Sequence, residues 1–261
     1  MVGDGSRAEP AILKAPPQAV PQPNPRSAAG LRATARAKQG VRERVWAALD
    51  RERASRFPGA RGRIPNFVGA EAAAERFAGH PPWFAAQIVK ANPDSPQLPV
   101  RRRALAEEKT VYMAVPRLRE ERPFVRLARE ATIRGAMREG RPVRIEDMEP
   151  VELVVCGSVA VNRAGVRVGK GGGYSDLELG LLVEAGLVDD ATLIATTVHP
   201  LQLLEEELPE TEHDFRVDVI VTPEDVIETA AQKRPPGILW DHLEETKIAA
   251  VPVLTRLRPS S

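Results

Sequence analysis

The segment Arg167-Val-Gly-Lys-Gly-Gly-Gly-Tyr-Ser-Asp176 decides how the rest of this chain is interpreted. It contains four glycines, two cations, one tyrosine and one acid. Residues 159–168 are rich in valine and alternate like a strand or a hairpin, and residues 177–187 carry a helical leucine pattern. The segment is therefore predicted to be a glycine loop between a strand and a helix. Bare backbone N–H groups and a helix N-terminus suit phosphate best among ligands.

Two common phosphate-loop patterns do not match this segment. The dinucleotide fingerprint G-x-G-x-x-G needs a third glycine where a tyrosine stands. The Walker pattern needs Ser or Thr after its lysine, whereas Gly171 follows Lys170. A simpler interpretation also remains open: the glycines form a flexible hairpin tip, Ser175 forms a capping box with Glu178, and Asp176 is an ordinary first-turn acid.

The composition leaves room for one sizeable domain or two small ones. The chain has 261 residues, of which 43% are hydrophobic, so a real core can form. The net charge is +1, so no overall field draws the chain to nucleic acid or membrane. The charge is nevertheless segregated: residues 31–63 carry ten Lys/Arg and three acids, and residues 182–228 carry thirteen acids and one arginine. These regions are either two solvated faces or a phosphate-facing end and a metal-facing end.

The single cysteine, Cys156, excludes an internal disulfide framework and a multi-cysteine zinc site. It lies in an apolar run at residues 153–156 and is predicted to be a buried structural thiol. No apolar stretch reaches the roughly 18 residues that a membrane-spanning helix needs, and the N-terminus lacks the pattern of a secretion signal. We therefore expect a cytoplasmic protein that makes no membrane contact.

The order of the elements predicts an α/β domain over residues 30–250. A strand at 88–91, a breaker, a helix at 100–107 and a strand at 110–114 form a βαβ unit, which implies a parallel pair. Residues 1–29 contain six prolines and few large apolar residues, so we expect a disordered tail. Residues 251–261 are expected to be a frayed end.

A helix is predicted at residues 31–55, with Val41, Val45 and Leu49 as its buried stripe. Lys38 and Arg42 are also four residues apart, so both project from a neighbouring face. Such a basic pair is ordinarily solvated, and on these two residues alone that interpretation remains open.

Taken together, these motifs resemble the 5-formyltetrahydrofolate cyclo-ligase family, whose members are also called methenyltetrahydrofolate synthetases. The glycine segment is similar to the family's Arg-hydrophobe-Gly-basic-Gly-x-Gly-Tyr-Tyr-Asp, with Ser175 in place of the second tyrosine. Lys38-Gln-Gly-Val-Arg42 is similar to its Lys-x-x-x-Arg helix, Pro116-Arg117 to the end of its second strand, and His213-Asp214 to a later family motif. The resemblance implies a single three-layer α/β domain with a mainly parallel sheet and helices on both faces.

The resemblance also implies a ligase that uses ATP and Mg2+ and forms a C–N bond. It would close 5-formyltetrahydrofolate to 5,10-methenyltetrahydrofolate with release of ADP and phosphate. The implied catalytic cations are Lys38, Arg42, Arg167 and Lys170. ATP would contact these four residues together with Gly169, Gly171, Gly172, Gly173, Tyr174 and Ser175. Asp176 and Asp214 would hold magnesium, which requires oxygen ligands.

The folate part of the resemblance departs more strongly from the family. The family carries Glu-x-x-Thr after its first strand, and that glutamate holds the pterin of the folate. Asp94 and Gln97 stand at those places, so Asp94 and Tyr174 are the implied substrate residues. Asp94 is one methylene shorter than glutamate, and a turn-forming role in Pro-Asp-Ser-Pro explains it equally well. For His213 we favour a surface or capping role over metal ligation.

Three functions remain open at this point. The first is a cyclo-ligase whose partner is a reduced folate. The second is a divergent branch of the family that keeps Mg-ATP but acts on another substrate. This chain resembles that branch, which includes proteins linked to thiamin metabolism and vertebrate members fused to an RNA-binding module. The third is a nucleic-acid binder that uses the basic residues 31–63. Scarce aromatics, at 4%, and the lack of an aromatic RNA-binding motif argue against the third.

Overall fold

The structure is a computed structural model that describes residues 28–230, 233–234 and 237–259. The helices are α1 (Ala28–Arg51), α2 (Ala70–Ala78), α3 (Pro81–Ala85), α4 (Leu98–Ala106), α5 (Ile133–Glu139), α6 (Tyr174–Glu184), α7 (Glu245–Ala249) and α8 (Pro252–Leu257). The strands are β1 (Ile88–Ala91), β2 (Thr110–Ala114), β3 (Phe124–Arg126), β4 (Arg141–Val143), β5 (Leu153–Cys156), β6 (Ala160–Asn162), β7 (Arg167–Val168), β8 (Leu193–Thr197), β9 (Leu203–Leu204), β10 (Val219–Val221) and β11 (Val226–Glu228).

The largest sheet has eight strands in the order β11-β10-β8-β5-β1-β2-β3-β4. Its five central strands, β10 to β2, are all parallel, and the three outer strands are antiparallel to their neighbours. The predicted βαβ unit is present, because β1 pairs with β2 in parallel with Val89 opposite Val111 and α4 between them.

Helices cover both faces of this sheet. Alternate residues of β5 point to opposite sides, so Val154 and Cys156 belong to one apolar cluster and Leu153 and Val155 to the other. The first cluster includes residues of α6, α7 and α8, and the second includes residues of α2, α4 and α5. The predicted three-layer α/β class with a mainly parallel sheet is therefore confirmed.

The first helix packs against a second, smaller sheet in the order β7-β6-β9. Its predicted stripe of Val41, Val45 and Leu49 is buried against Val159 and Val168. The predicted hairpin is β6 and β7, which pair in antiparallel fashion directly before the glycine loop. This packing fixes the start of that loop next to the inner face of α1.

The predictions for the two ends of the chain have different outcomes. The expected tail at 1–29 lies outside the described residues, apart from residues 28 and 29, which are part of α1. The expected frayed end needs a correction, because Pro252 opens α8 and Val253 and Leu254 are fully buried in the core. Proline suits a first helical turn, and these two apolar side chains anchor it.

Two further expectations can be checked against the fold. Cys156 is completely buried, as predicted, and burial raises the pKa of its thiol. Among the residues that the structure describes, no helix combines the length and the apolar character needed to cross a bilayer.

Candidate active site

A cleft of about 830 Å³ opens beside the carboxyl ends of the central parallel strands. Asn92 and Asp94 follow β1, Arg117 follows β2 and Gly157 follows β5, and all four line it. Loops at this edge of a parallel sheet commonly form binding sites. The cleft brings together all of the predicted site residues, namely Lys38, Arg42, Asp94, Arg167, Gly169, Lys170, Gly171, Gly172, Gly173, Tyr174, Ser175, Asp176 and Asp214.

The glycine loop connects β7 to α6 and depends on left-handed backbone at two positions. Gly171 has φ +102° and Gly173 has φ +66°. A Cβ on Gly171 would also lie 3.3 Å from Cζ of Arg42, closer than most real contacts. Gly173 is the N-cap of α6 and Ser175 lies within the helix, so the alternative capping box does not form. Ser175 instead accepts a hydrogen bond from the amide of Asn92 at 3.1 Å.

Arg42 reaches from α1 to the beginning of the glycine loop. Its Nε donates to the carbonyl of Gly169 at 2.7 Å, and its Nη1 donates to Gln39 at 3.1 Å. Burial lowers the pKa of Arg42, while Asp214 and Asp176 act in the opposite direction. The buried guanidinium therefore shapes the loop and also faces the cleft.

Lys38 forms a buried ion pair with Asp214, with 2.5 Å between Nζ and Oδ2. The hydroxyl of Thr211 donates to the same carboxylate oxygen at 2.7 Å. Burial by itself raises the pKa of Asp214, but the Lys38 ammonium and the Thr211 hydrogen bonds lower it below its ordinary value. Asp214 is consequently ionised at neutral pH.

Arg167 lies beneath the glycine loop and is only 3% exposed. Its Nη2 donates to Asp176 at 2.8 Å, its Nη1 donates to the carbonyl of Gly157 at 3.2 Å, and its guanidinium stacks 4.1 Å from the ring centroid of Phe215. Burial opposes the charged form, but Asp176 is the main group that raises the pKa of Arg167. Its buried Nε has no hydrogen-bond partner within the described part of the chain.

Lys170 and Asp94, expected to serve different ligands, contact each other. Lys170 Nζ lies 2.8 Å from Asp94 Oδ1, and the Lys170 side chain is 45% exposed. The candidate substrate carboxylate is therefore already paired with a candidate phosphate-binding cation. A substrate that hydrogen-bonds to Asp94 must share or displace Lys170.

A buried polar network under the cleft was not anticipated from the sequence. Lys90 is 1% exposed and donates to Glu178 at 2.5 Å and to Asn92 at 2.6 Å. Asn92 continues the network to Ser175. The available signals were a lysine inside the apolar strand β1 and the serine that departs from the family motif. This network links the loop after β1 to the first turn of α6.

The C-terminal segment contributes two side chains that the sequence gave no reason to select. Lys247 Nζ donates to the carbonyl of Gly172 at 2.5 Å and lies 3.6 Å from the ring centroid of Tyr174. His242 lines the cleft, and its Nδ1 is 3.2 Å from Nδ1 of His213. His213 is half-buried, and burial lowers its pKa. Only the tertiary fold brings these groups to the loop.

The residues present fit magnesium in company with phosphate. Among the described residues, no three His, Cys, Asp or Glu side chains gather as a metal cage. Magnesium usually takes only one or two protein carboxylates and completes its shell with phosphate and water, which matches Asp176 and Asp214. The unpartnered Nε of Arg167 and the left-handed glycine backbone suit the accompanying anion.

The sequence model of the 5-formyltetrahydrofolate cyclo-ligase family matches residues 34–223. The chain belongs to this family. The matched range contains every predicted site residue, and the family expected from the glycine segment is confirmed. The family is named for a ligase that acts on 5-formyltetrahydrofolate.

Curated relatives support membership of the divergent branch. The chain is 37% identical over 238 residues to "Methenyltetrahydrofolate synthase domain-containing protein" of Bos taurus, an alignment that covers 85% of this chain and 62% of the relative. The Homo sapiens protein of the same name is 36% identical over 243 residues, covering 87% of this chain and 63% of that protein. The chain thus spans about 62% of the length of these relatives.

A solved structure also resembles this fold. It is the NMR structure of Aquifex aeolicus 5,10-methenyltetrahydrofolate synthetase, which is 19% identical with a TM-score of 0.49. The match covers 80% of this chain and 99% of that chain.

Proposed function

We propose that this protein binds Mg-ATP in the cleft and catalyses ATP-dependent ring closure of 5-formyltetrahydrofolate to 5,10-methenyltetrahydrofolate. One observation carries the proposal: cations from α1, the glycine loop and two carboxylates from distant parts of the chain meet in a single cleft. Lys38 and Asp214 are 176 residues apart in sequence and yet in contact. Charge neutralisation and positioning of a phosphoryl group require this combination.

Separate groups of residues in the cleft would bind the phosphates and the magnesium ion. Backbone N–H groups between Gly169 and Gly173 would bind phosphate oxygens, with Lys38 and Arg42 supplying positive charge from α1. Asp214 and Asp176 would hold magnesium, and the lowered pKa of Asp214 keeps it in the ionised form that the metal requires. When bound, Mg-ATP supplies the phosphoryl group that activates the formyl oxygen for departure.

Existing ion pairs balance three of the cations around the cleft before a ligand arrives. Lys38 is paired with Asp214, Arg167 with Asp176, and Lys170 with Asp94. An incoming phosphate can compete for the cations while the metal competes for Asp214 and Asp176. Because each charge keeps a partner of opposite sign, binding avoids the large cost of leaving a buried charge unpaired.

A divergent substrate is the second candidate, and two contacts favour it. Asp94 is engaged by Lys170, and the position of the family's second tyrosine is occupied by Ser175 within the Asn92 network. Both features depart from the family pattern, whereas the glycines of the loop match it. In this case the protein would bind Mg-ATP and act on a small molecule other than 5-formyltetrahydrofolate.

Nucleic acid is disfavoured as the partner of the basic residues 31–63. Lys38 and Arg42 are buried and face the cleft. Other cations of this region, including Arg44, Arg56 and Arg61, are paired with glutamates. Charge that is already paired contributes less to a phosphate-binding surface.

Phosphate release with and without 5-formyltetrahydrofolate tests the two candidates. The assay is run with purified full chain, Mg2+ and ATP, while formation of methenyltetrahydrofolate is followed by its absorbance. Folate-dependent phosphate release with product formation supports the cyclo-ligase. Mg-ATP binding without folate-dependent release supports the divergent substrate, and absence of Mg-ATP binding refutes both.

A further inference from the structure

The glycine loop is held from two sides by cations that come from opposite ends of the chain. Arg42, on α1, donates to the carbonyl of Gly169. Lys247, on α7, donates to the carbonyl of Gly172. Both cations donate hydrogen bonds to carbonyl oxygens of the loop, so neither interaction involves the N–H groups of the loop.

Lys247 rests on a well-anchored part of the structure. Ile248 is buried next to it, and Val251, Val253 and Leu254 are buried in the same core cluster as α6. Gly172, Gly173 and Tyr174 form the surface against which the ammonium lies; a Cβ on Gly173 would be 3.9 Å from Nζ. Apolar packing of the neighbouring buried residues in the core therefore fixes the position of Lys247.

The charge of Lys247 is not balanced by an ion-pair partner. Lys38, Arg167 and Lys170 each have a carboxylate within 4.0 Å. Within the described residues, Lys247 has no such contact and rests on a carbonyl and an aromatic ring. The carboxylates of Asp176 and Glu244 act on Lys247 only from beyond ion-pair distance. This half-buried ammonium therefore still strengthens the positive field at the loop and is itself stabilised by an anion bound there.

We infer that Lys247 is a positioning residue for phosphate binding: it fixes the Gly172 carbonyl and the Tyr174 ring so that the loop N–H groups face the phosphates, and it adds positive charge at that point. The inference rests on the proposed function. Lys247 lies beyond residues 34–223, the range that the family sequence model matches. If Lys247 has this role, the C-terminal segment that contains it contributes to the nucleotide site.

The test compares binding of Mg-ATP, Mg-ADP and AMP to the full chain by calorimetry. The variants are Lys247→Met, Lys247→Arg and Arg256→Met as a matched control. Arg256 is a half-exposed cation of the same segment that pairs with Glu146. We expect Lys247→Met to weaken Mg-ATP binding about tenfold or more, as for loss of a charge-assisted hydrogen bond. Lys247→Arg should restore most of the affinity, and Arg256→Met should leave it unchanged.

Comparing nucleotides with different numbers of phosphates distinguishes a positioning role of Lys247 from a general loss of structure. The inference predicts a larger loss for Mg-ATP than for AMP, in a variant whose thermal unfolding midpoint stays near that of the wild type. Equal losses for all three nucleotides, failure of arginine to rescue, or unchanged Mg-ATP affinity would each overturn it.

A further titration distinguishes failure of the proposed ATP function from failure of the inference about Lys247. If the wild type does not bind Mg-ATP, the same variants are titrated with inorganic tripolyphosphate. Binding that Lys247→Met weakens supports the role of Lys247 and refutes the ATP function. Absence of any tripolyphosphate binding by the wild type overturns both.

Discussion

The Lys170 ammonium lies 2.8 Å from the carboxylate of Asp94. This contact joins the glycine loop to the loop after β1, and so joins the phosphate side of the proposed site to its substrate side. A half-exposed pair of this kind contributes little to stability, generally less than about 1 kcal/mol. Its significance is therefore functional.

We expect Asp94→Asn to reduce substrate-dependent phosphate release about tenfold or more, because a neutral amide cannot hold Lys170 and accept from substrate as a carboxylate does. The free energy of unfolding should change by less than about 1 kcal/mol. Steady-state kinetics and urea unfolding measure the two effects. Lys170→Gln breaks the same ion pair and retains the carboxylate; because Lys170 is itself a proposed phosphate-binding cation, this variant should weaken Mg-ATP binding, which Asp94→Asn should leave unchanged. Unchanged turnover in Asp94→Asn would remove Asp94 from the substrate site.

Gly171→Ala should weaken Mg-ATP binding about tenfold, because an L side chain at φ +102° is strained by about 1 kcal/mol or more and crowds Arg42. Gly40→Ala provides a control on α1, where a Cβ meets no atom within 4 Å. That control should bind Mg-ATP normally and gain up to about 1 kcal/mol of stability. Calorimetry and thermal unfolding follow both variants. Equal ATP affinities in the two would show that the loop conformation is unimportant.

Asp214 should make the free energy of unfolding depend on pH in the acidic range. Its pKa is lowered in the folded state from an ordinary value of 3.8, so it stabilises the fold above that value. This contribution is lost as the pH falls through the folded-state pKa. We expect the difference in unfolding free energy between the wild type and Asp214→Asn to shrink between pH 7 and pH 3, as measured by urea unfolding. A difference that stays constant with pH would contradict the Lys38–Asp214 pairing.

Lys90→Met should destabilise the protein by about 3–5 kcal/mol, because it leaves the Glu178 carboxylate buried without its cation. The double variant Lys90→Met with Glu178→Gln should recover much of that loss, since no uncompensated charge remains. Urea unfolding of the single and double variants forms a double-mutant cycle. Additive effects would show that the two side chains do not interact in solution.

The sequence by itself determined the local elements and the motif. Strands β1 and β2 begin and end at the predicted residues, and α1 buries its predicted stripe. These features depend on short-range periodicity, which the chain expresses locally. The glycine segment identified the family because its residues are contiguous, and it placed Lys38, Arg42 and Asp214 in the same cleft through that resemblance.

Only the tertiary structure decided which charges are partners. Lys38 meets Asp214, Lys90 meets Glu178 and Lys170 meets Asp94 across separations of 76 to 176 residues. It also buried Val253 and Leu254 in α8, which the sequence suggested was frayed, and so brought Lys247 to the glycine loop. Such contacts depend on strand order and on which side chains lose water when the layers pack, and neither is expressed in local sequence periodicity.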